Sequence, residues 1–423
     1  MAVMASNFLV PGFGEPLWDV VEEHLDEAEF LWEQWEQCLV APNYTLGEVI
    51  EGPEERLLAH IDGLVVNGPL VAERLLIPTL MDEDAEAMRV CAAALALLQT
   101  PGEAGLAAVF AAVREAPLQR SALARALECC DRGELGARLA SLLVDPEPGL
   151  RHVAARVLAF HGGDVAAAVP GLLGSPQARD RALGLGLVPR LPAEPRLLHE
   201  VVSALQDGDP ELRDIALRSG VLIDSPQAWG GARALVGAGD PSAGVALLLL
   251  ALRGEPDDHA ALFAAVEDAA LRGPALWALG FLGTAAAVEA ALPWLEDGIH
   301  ARLAGEAVCA VTGLDLEDAK QGADEPEGEA LEHRAEDDLL LPDPMAVLLW
   351  WRDNRGRFDD GQRYLAGVPW TGETLWQALK DGPMRRRPAH WLALQLQSPV
   401  IRRSSLELRA PGRRQLAALA AFK

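Results

Sequence analysis

The sequence predicts an all-α fold, an α-solenoid of about eight short helix pairs between a helical N-terminal cap and a small helical C-terminal domain. Three observations carry that expectation: the composition, a unit of about 31 residues that recurs, and turn signals at fixed places within each unit. Apolar residues make up 50% of the 423, chiefly Ala and Leu, while aromatics are only 5%. Ala and Leu lead the helix-propensity scale, and alternating β-branched runs are scarce.

The recurring unit is plain in residues 142–162, LLVDPEPGLRHVAARVLAFHG, anchored on Arg151. Steps of about 31 residues land on Arg89, Arg120, Arg181, Arg213, Gly244 (the one departure), Arg272 and Arg302. Three positions after the anchors stand Ala92, Leu123, Ala154, Gly184, Ala216, Leu247, Ala275 and Gly305, mostly small residues suited to close helix contact. Before them come Asp145-Pro146, Ser175-Pro176, Asp209-Pro210 and Asp240-Pro241. An Asp or Ser caps free amides at a helix start, and Pro fits the first turn, which needs no N–H. Gly162, Gly283 and Gly313, each eleven residues after an anchor, are helix stops. An anchor Arg near a helix start opposes the helix dipole, so it requires a partner. The six-residue offsets of Asp145–Arg151, Asp207–Arg213 and Glu296–Arg302 suggest turn carboxylates, of the same or an adjacent unit, in a charged ladder.

Helix–turn–helix units of this length, with DPxxxLR-like turns and a small residue after the Arg, resemble HEAT-like repeats of the phycobilisome-lyase type. The resemblance covers residues 70–316 and implies pairs that stack because neither helix of a pair can bury its apolar side alone.

Both flanks leave the pattern. Residues 1–69 form the cap: a long acidic amphipathic helix over 16–40, a capping box at Thr45–Glu48, and a helix opened by Pro53 and closed at Gly68. Residues 317–339 hold ten acids and read as a flexible linker. Residues 340–423 form a basic, Trp-rich helical domain. Its fourteen Lys/Arg outnumber seven Asp/Glu, whereas the first 339 residues carry a net charge of −34. Trp350, Trp351, the Arg385-Arg386-Arg387 cluster and the Arg402-Arg403 pair are candidate partner-binding residues, Trp and Arg being favoured interface anchors. The competing reading docks this basic domain onto the chain's own acidic solenoid or linker.

FLW at 30–32, APNY at 41–44, ERLLAHIDGL at 55–64, Trp350-Trp351, GQRYLAG at 361–367 and APGRRQ at 410–415 bracket the repeats. This layout resembles a bacterial family of roughly this length, HEAT-like in the middle, whose members are often encoded near type VI secretion clusters. The resemblance implies a context and no catalytic residues.

Chemistry finds little purchase. One His-Glu dipeptide, His199-Glu200, cannot build the two-metal site of a HEAT-like hydroxylase such as the di-iron enzyme acting on hypusine precursors. His24 and Glu27 could ligate a metal from one helix face but read as a solvated polar face. HExxH, CxxC, P-loop and nucleophile-elbow motifs are missing, and GLGLV at 184–188 lies within a repeat helix. The five cysteines read as small core residues of a reducing compartment. The N-terminus has no signal-peptide pattern, and VALLLLAL at 245–252 is too short to span a bilayer. A net charge of −27 disfavours nucleic acid and anionic membranes. The expectation is a cytoplasmic, non-enzymatic adaptor or chaperone-like scaffold, with no cofactor, holding a basic protein client such as a secretion-system component. A HEAT-like lyase or metal-dependent enzyme is the alternative.

Overall fold

A computed structural model describes residues 16–316, 336–404 and 406–422. Residues 1–15 of the expected cap and 317–335 of the expected linker lie outside the described residues. The described chain is all-α and solenoid-like, apart from a two-residue hairpin.

Helix α1 (Trp18–Cys38) buries Val21, Leu25, Ala28, Leu31, Trp32 and Trp35, the spacing of one helical face. It packs on α2 (Leu46–Val66), which opens with the expected capping box. There Glu48 N–H donates to Thr45 Oγ1 at 3.4 Å and Thr45 N–H to Glu48 Oε2 at 2.8 Å. Pro53, expected to open a helix, instead lies inside α2, where the backbone widens into a π-turn over Ile50–Glu54. A proline lacks an N–H and its ring presses on the carbonyl four residues back; the wider turn accommodates both defects. Helix α3 (Pro69–Met81) repeats the device over Ala72–Leu76, just ahead of Pro78.

Eight first helices alternate with eight anchored second helices among the described residues. The first helices are α3, α5 (Ala104–Glu115), α7 (Leu135–Leu142), α9 (Val169–Leu173), α11 (Pro195–Ala204), α13 (Pro226–Gly237), α15 (Pro256–Glu267) and α17 (Ala285–Ala291). The second helices are α4 (Ala87–Gln99), α6 (Arg120–Cys129), α8 (Pro148–Phe160), α10 (Ala178–Leu187), α12 (Pro210–Leu222), α14 (Gly244–Arg253), α16 (Arg272–Leu282) and α18 (Ala301–Thr312). Then come α19 (Pro344–Asn354), the β1 (Tyr364–Leu365) and β2 (Val368–Pro369) hairpin, α20 (Gly372–Asp381), α21 (Arg387–Gln397), α22 (Pro399–Arg402) and α23 (Gly412–Ala421).

The chain forms two compact units. The first holds α1 to α8 and receives α23; the second runs from Pro170 to Ser404 and takes in Ala41–Asn43. In the first, α6 packs between α4 and α8. In the second, α10, α12, α14, α16 and α18 each pack on the next, a row and not a closed ring. Second helices are buried nearly all round, as in the unbroken run Val90–Leu98 of α4, whereas α11 buries only Leu197 and Val201. Small residues permit the close rows. A Cβ at Gly184 would lie 3.1 Å from Leu172 and Leu173, and one at Gly220 would meet the Ala228 Cβ at 2.5 Å.

These units are not divided at the boundaries 69/70, 316/317 and 339/340 expected from composition. The cap shares a unit with the first three pairs, and the basic segment is split, 340–404 packing with the later pairs and α23 with the earlier ones. Composition reports local chain character; compactness follows long-range clamps that local composition does not show.

Candidate functional site

The anchor arginines reach back rather than out. Arg151 Nη1 donates to the Asp145 and Pro146 carbonyls, both at 2.8 Å, and Arg181 to those of Ser175 and Pro176 at 3.3 and 3.2 Å. Arg272 takes Val266 O and Glu267 O, and Arg120 takes Val113 O and Arg114 O, the last carbonyls of α15 and α5. These groups carry the negative end of the first helix's dipole, which offsets the unfavourable end of the arginine's own helix. Carboxylate partners come from the following pair: Glu147 for Arg120, Asp207 for Arg181 at 3.8 Å and Asp240 for Arg213 at 3.7 Å. Arg89 pairs with Asp26 and Glu29 of α1, and Arg302 bonds the Leu339 carbonyl. The charged ladder therefore runs between neighbours. For Asp145–Arg151 the six-residue offset instead marks a backbone contact: Arg151 takes the Asp145 carbonyl, while Asp145 turns its carboxylate to Glu147 N–H and to Arg114, both at 3.0 Å. Asp209 caps α12 through Glu211 N–H at 3.0 Å, as its place before Pro210 predicts.

Most of the candidate partner-binding residues are turned inward, which corrects their reading as an exposed surface. Arg387 is 1% exposed, its Nε bonded to Leu379 O at 2.6 Å, and burial pushes its pKa down to about 10. Arg386 lies over the Phe281 and Trp277 rings of α16, at 4.0 and 4.9 Å, and donates to Gly280 O at 3.0 Å. Gly280 makes room for it: a Cβ there would stand 2.9 Å from Nη2. Both Arg385 and Arg386 flank Glu306 of α18, at 3.7 and 3.4 Å. Trp351 is buried against Phe358, and Arg402 pairs with Asp224 at 3.7 Å; Trp350 is half-buried and Arg403 exposed. Inside the second unit the basic segment thus docks on the unit's own helices, the competing reading of its charge. Desolvated guanidinium groups lie over aromatic rings and at carbonyl ends.

Two motifs that carried only a family resemblance prove to be clamps on helix ends. Arg363 of GQRYLAG donates to Phe281 O and Leu282 O of α16 at 2.7 and 3.0 Å, and to Leu252 O of α14 at 3.0 Å. The hairpin beside it sends Tyr364 N–H to Gly283 O, and Ala366 and Gly367 N–H to Ala310 O and Val311 O of α18. In the first unit, Arg414 of APGRRQ donates to Glu128 O of α6 and Phe160 O of α8, at 3.1 and 3.2 Å. Gly412 N–H of the same motif bonds buried Glu54 at 2.7 Å. Beneath it, buried Arg125 binds Glu36 Oε1 at 2.5 Å and the Arg409 carbonyl at 2.8 Å. Sequence reasoning missed Arg363, Arg414 and Arg125. For Arg363 and Arg414 the available signal was a glycine two residues before an arginine outside the repeat period; Arg125, inside its repeat between Ala124 and Ala126, carried none.

A pocket in the second unit holds about 730 Å³. Apolar walls come from Leu314, Leu316, Leu339, Leu340, Leu365 and Val368. Glu306, Arg386 and His390 line it, and exposed Asp315, Asp338 and Asp381 stand among its lining residues. His390 is 1% exposed, and among the described residues neither ring nitrogen has a hydrogen-bond partner; nor does Glu306 Oε2. Burial and the adjacent Arg386 and Arg387 push the His390 pKa down to about 3, so the ring stays neutral. Burial raises the Glu306 carboxyl and lifts the Cys309 thiol to about 12, which leaves Cys309 a poor nucleophile. Glu306 carried a legible signal, an acid inside the apolar run ARLAGEAVCAVT; His390 within RPAHWLALQLQ carried a weaker one. A second pocket of about 450 Å³ in the first unit is lined by Trp35, Glu54, Cys129, Cys130 and Pro411, with both thiols raised by burial, to about 12 and about 11. Among the described residues no group of three or more His, Cys, Asp or Glu could hold a metal ion. His24 faces His60 at 3.2 Å. No single described helix is long and apolar enough to cross a membrane.

No protein-family model matches the chain, and no curated protein matches it. Among solved structures, YibA of E. coli is similar at 12% identity and a TM-score of 0.32, over 72% of this chain and 99% of that one. An engineered protein is similar at 16% identity and a TM-score of 0.32, over 89% and 96%. Human deoxyhypusine hydroxylase in complex with glycerol is similar at 16% identity and a TM-score of 0.20, over 69% and 95%. Likenesses of this size carry no argument; the fold rests on the helix packing described above.

Proposed function

We propose that the chain is a non-enzymatic scaffold or adaptor that holds a basic protein client. The observation that carries this reading is the disposition of charge. Arg125, Arg386 and Arg387 are buried in their own units, and Arg363 and Arg414 are bonded to helix ends. Glu54, Glu128, Asp180 and Asp258 are buried as well, but carboxylates crowd the surface of α1, which exposes Asp19, Glu22, Glu23, Asp26, Glu27 and Glu33, with no Lys or Arg of its own. With a net charge of −27 on the chain the outward field is acidic, and such a field speeds capture of basic partners. The resemblance of the flanking motifs to a family encoded near type VI secretion clusters supports a secretion-system component or exported effector as that client.

The test is a binding isotherm of the purified chain against basic client proteins, repeated as salt is raised. Association that weakens steadily with salt is the expected outcome. Failure to bind any basic client, or affinity indifferent to salt, would remove the reading.

A further inference from the structure

We propose that the pocket of the first unit, framed by α1, α2 and the ends of α4 and α6, seats a small uncharged apolar molecule that carries one carbonyl acceptor. The site is separate from the acidic exterior of the scaffold reading and does not rest on it.

The space of about 450 Å³ is within the range of small-ligand sites. Leu57 and Leu58 of α2 and Leu95 and Leu98 of α4 make its sides apolar, and Pro411, just ahead of α23, adds to them. The indole rings of Trp32 and Trp35 meet edge to face, 5.8 Å between centroids, and both belong to the lining.

The charged groups of the lining are already engaged. Glu54 Oε2 accepts from Trp35 Nε1 at 3.1 Å and from Gly412 N–H at 2.7 Å, and burial raises the carboxyl. Arg132 donates to the Leu98, Thr100 and Gly102 carbonyls. Asp131 is exposed, where water screens it. A charged ligand would therefore give up its hydration for no free counter-charge inside. Burial holds the Cys129 and Cys130 thiols protonated, so the occupant is not held covalently.

One buried donor is left over. Trp32 is fully buried, and its Nε1 has no hydrogen-bond partner among the described residues. The other indole is spent on Glu54, and the Thr100 hydroxyl on Ala96 O at 3.0 Å. An unmet buried donor is costly, and an indole only donates, so the occupant must accept. Water is a poor candidate. An ordered water needs several polar partners, and the buried side chains of the lining are otherwise apolar, thiol or already bonded. A carbonyl on an apolar body meets both demands.

The experiment uses the full chain and benzophenone, with diphenylmethane as the same shape lacking the acceptor and para-benzoylbenzoate as the charged form. Titration calorimetry is expected to show one benzophenone per chain. Diphenylmethane, although more hydrophobic, is expected to bind about tenfold more weakly, and para-benzoylbenzoate is expected not to compete. Trp32→Phe keeps an apolar wall without the donor and is expected to abolish that preference. Leu58→Trp, at a half-buried position on α2, narrows the space and is expected to abolish saturable binding, with the helical circular dichroism unchanged. Near-ultraviolet light joins the ketone carbon to a neighbouring C–H carbon, the hydrogen passing to the ketone oxygen. That adduct is expected on Leu57, Leu58, Leu95 or Leu98. Failure of benzophenone to bind, no preference over diphenylmethane, or adducts confined to other helices would overturn the proposal. An unchanged preference in Trp32→Phe would do the same; should that variant not fold, Leu58→Trp and the adduct positions still decide. Client capture is read by none of these measurements, so the scaffold reading stands or falls separately.

Discussion

His390 is a neutral imidazole placed where a proton would meet Arg386 and Arg387 with little water to screen it, beside the Glu306 carboxyl across the pocket. Its folded pKa of about 3 lies below the ordinary 6.5, so the unfolded chain accepts a proton that the folded one refuses. The resulting stability is full above the unfolded value and is lost as pH falls through the window from 6.5 toward 3, at up to about 1.4 kcal/mol per pH unit. Glu306 acts in the opposite sense. Its folded pKa is raised above 4.5, so its contribution is present at low pH and is lost as pH rises. The difference between parent and His390→Phe isolates the histidine. Urea melts stepped down through the window are expected to show a shallower loss in the variant, and an equal slope would refute the assignment.

At the scale of the element, the second helices of the later pairs end on glycines that accept a strand. Gly283 and Gly313 stop α16 and α18 in the left-handed region, both at φ 72°, and the β-hairpin lies against them. A Cβ at Gly313 would stand 2.6 Å from the Ala366 carbonyl oxygen. Gly68, at φ 79° with open space around it, has only the backbone penalty. Gly68→Ala is expected to cost about 1 kcal/mol. Gly313→Ala should cost about 2–3 kcal/mol, as the hairpin is displaced too. Amide exchange at Ala366 and Gly367 reads the difference, and equal exchange in the two variants would show that the hairpin does not depend on the glycine.

Across the molecule, helix ends are tied by segments remote in sequence. In the first unit, α23 and the residues before it meet Glu36, Glu54, Arg125 and the ends of α6 and α8. Removing them leaves Arg125 and Glu54 buried with fewer partners, a defect of about 3 kcal/mol or more. A chain ending at Ser404 is therefore expected to lose amide protection in α6 and α8, although the nearest of their residues lies more than two hundred positions away. Unchanged protection there would mean that the C-terminal segment decorates the first unit without supporting it.

The repeat was legible because stacking requires the same things of every unit: an arginine near the second helix start, a small residue one turn on, a capped turn before it and a glycine stop. Gly283 and Gly313 occupy the left-handed positions that their spacing predicted. The helix pairs, the cap helix and the Thr45–Glu48 box were thus written locally. What the tertiary structure alone decided is where the long cationic side chains go. Arg363, Arg386 and Arg414 look like surface charge in a linear reading, because their partners are backbone carbonyls and aromatic faces that any sequence supplies. Only the folded chain brings those carbonyl ends together, and so only it could turn a basic flank into an internal clamp.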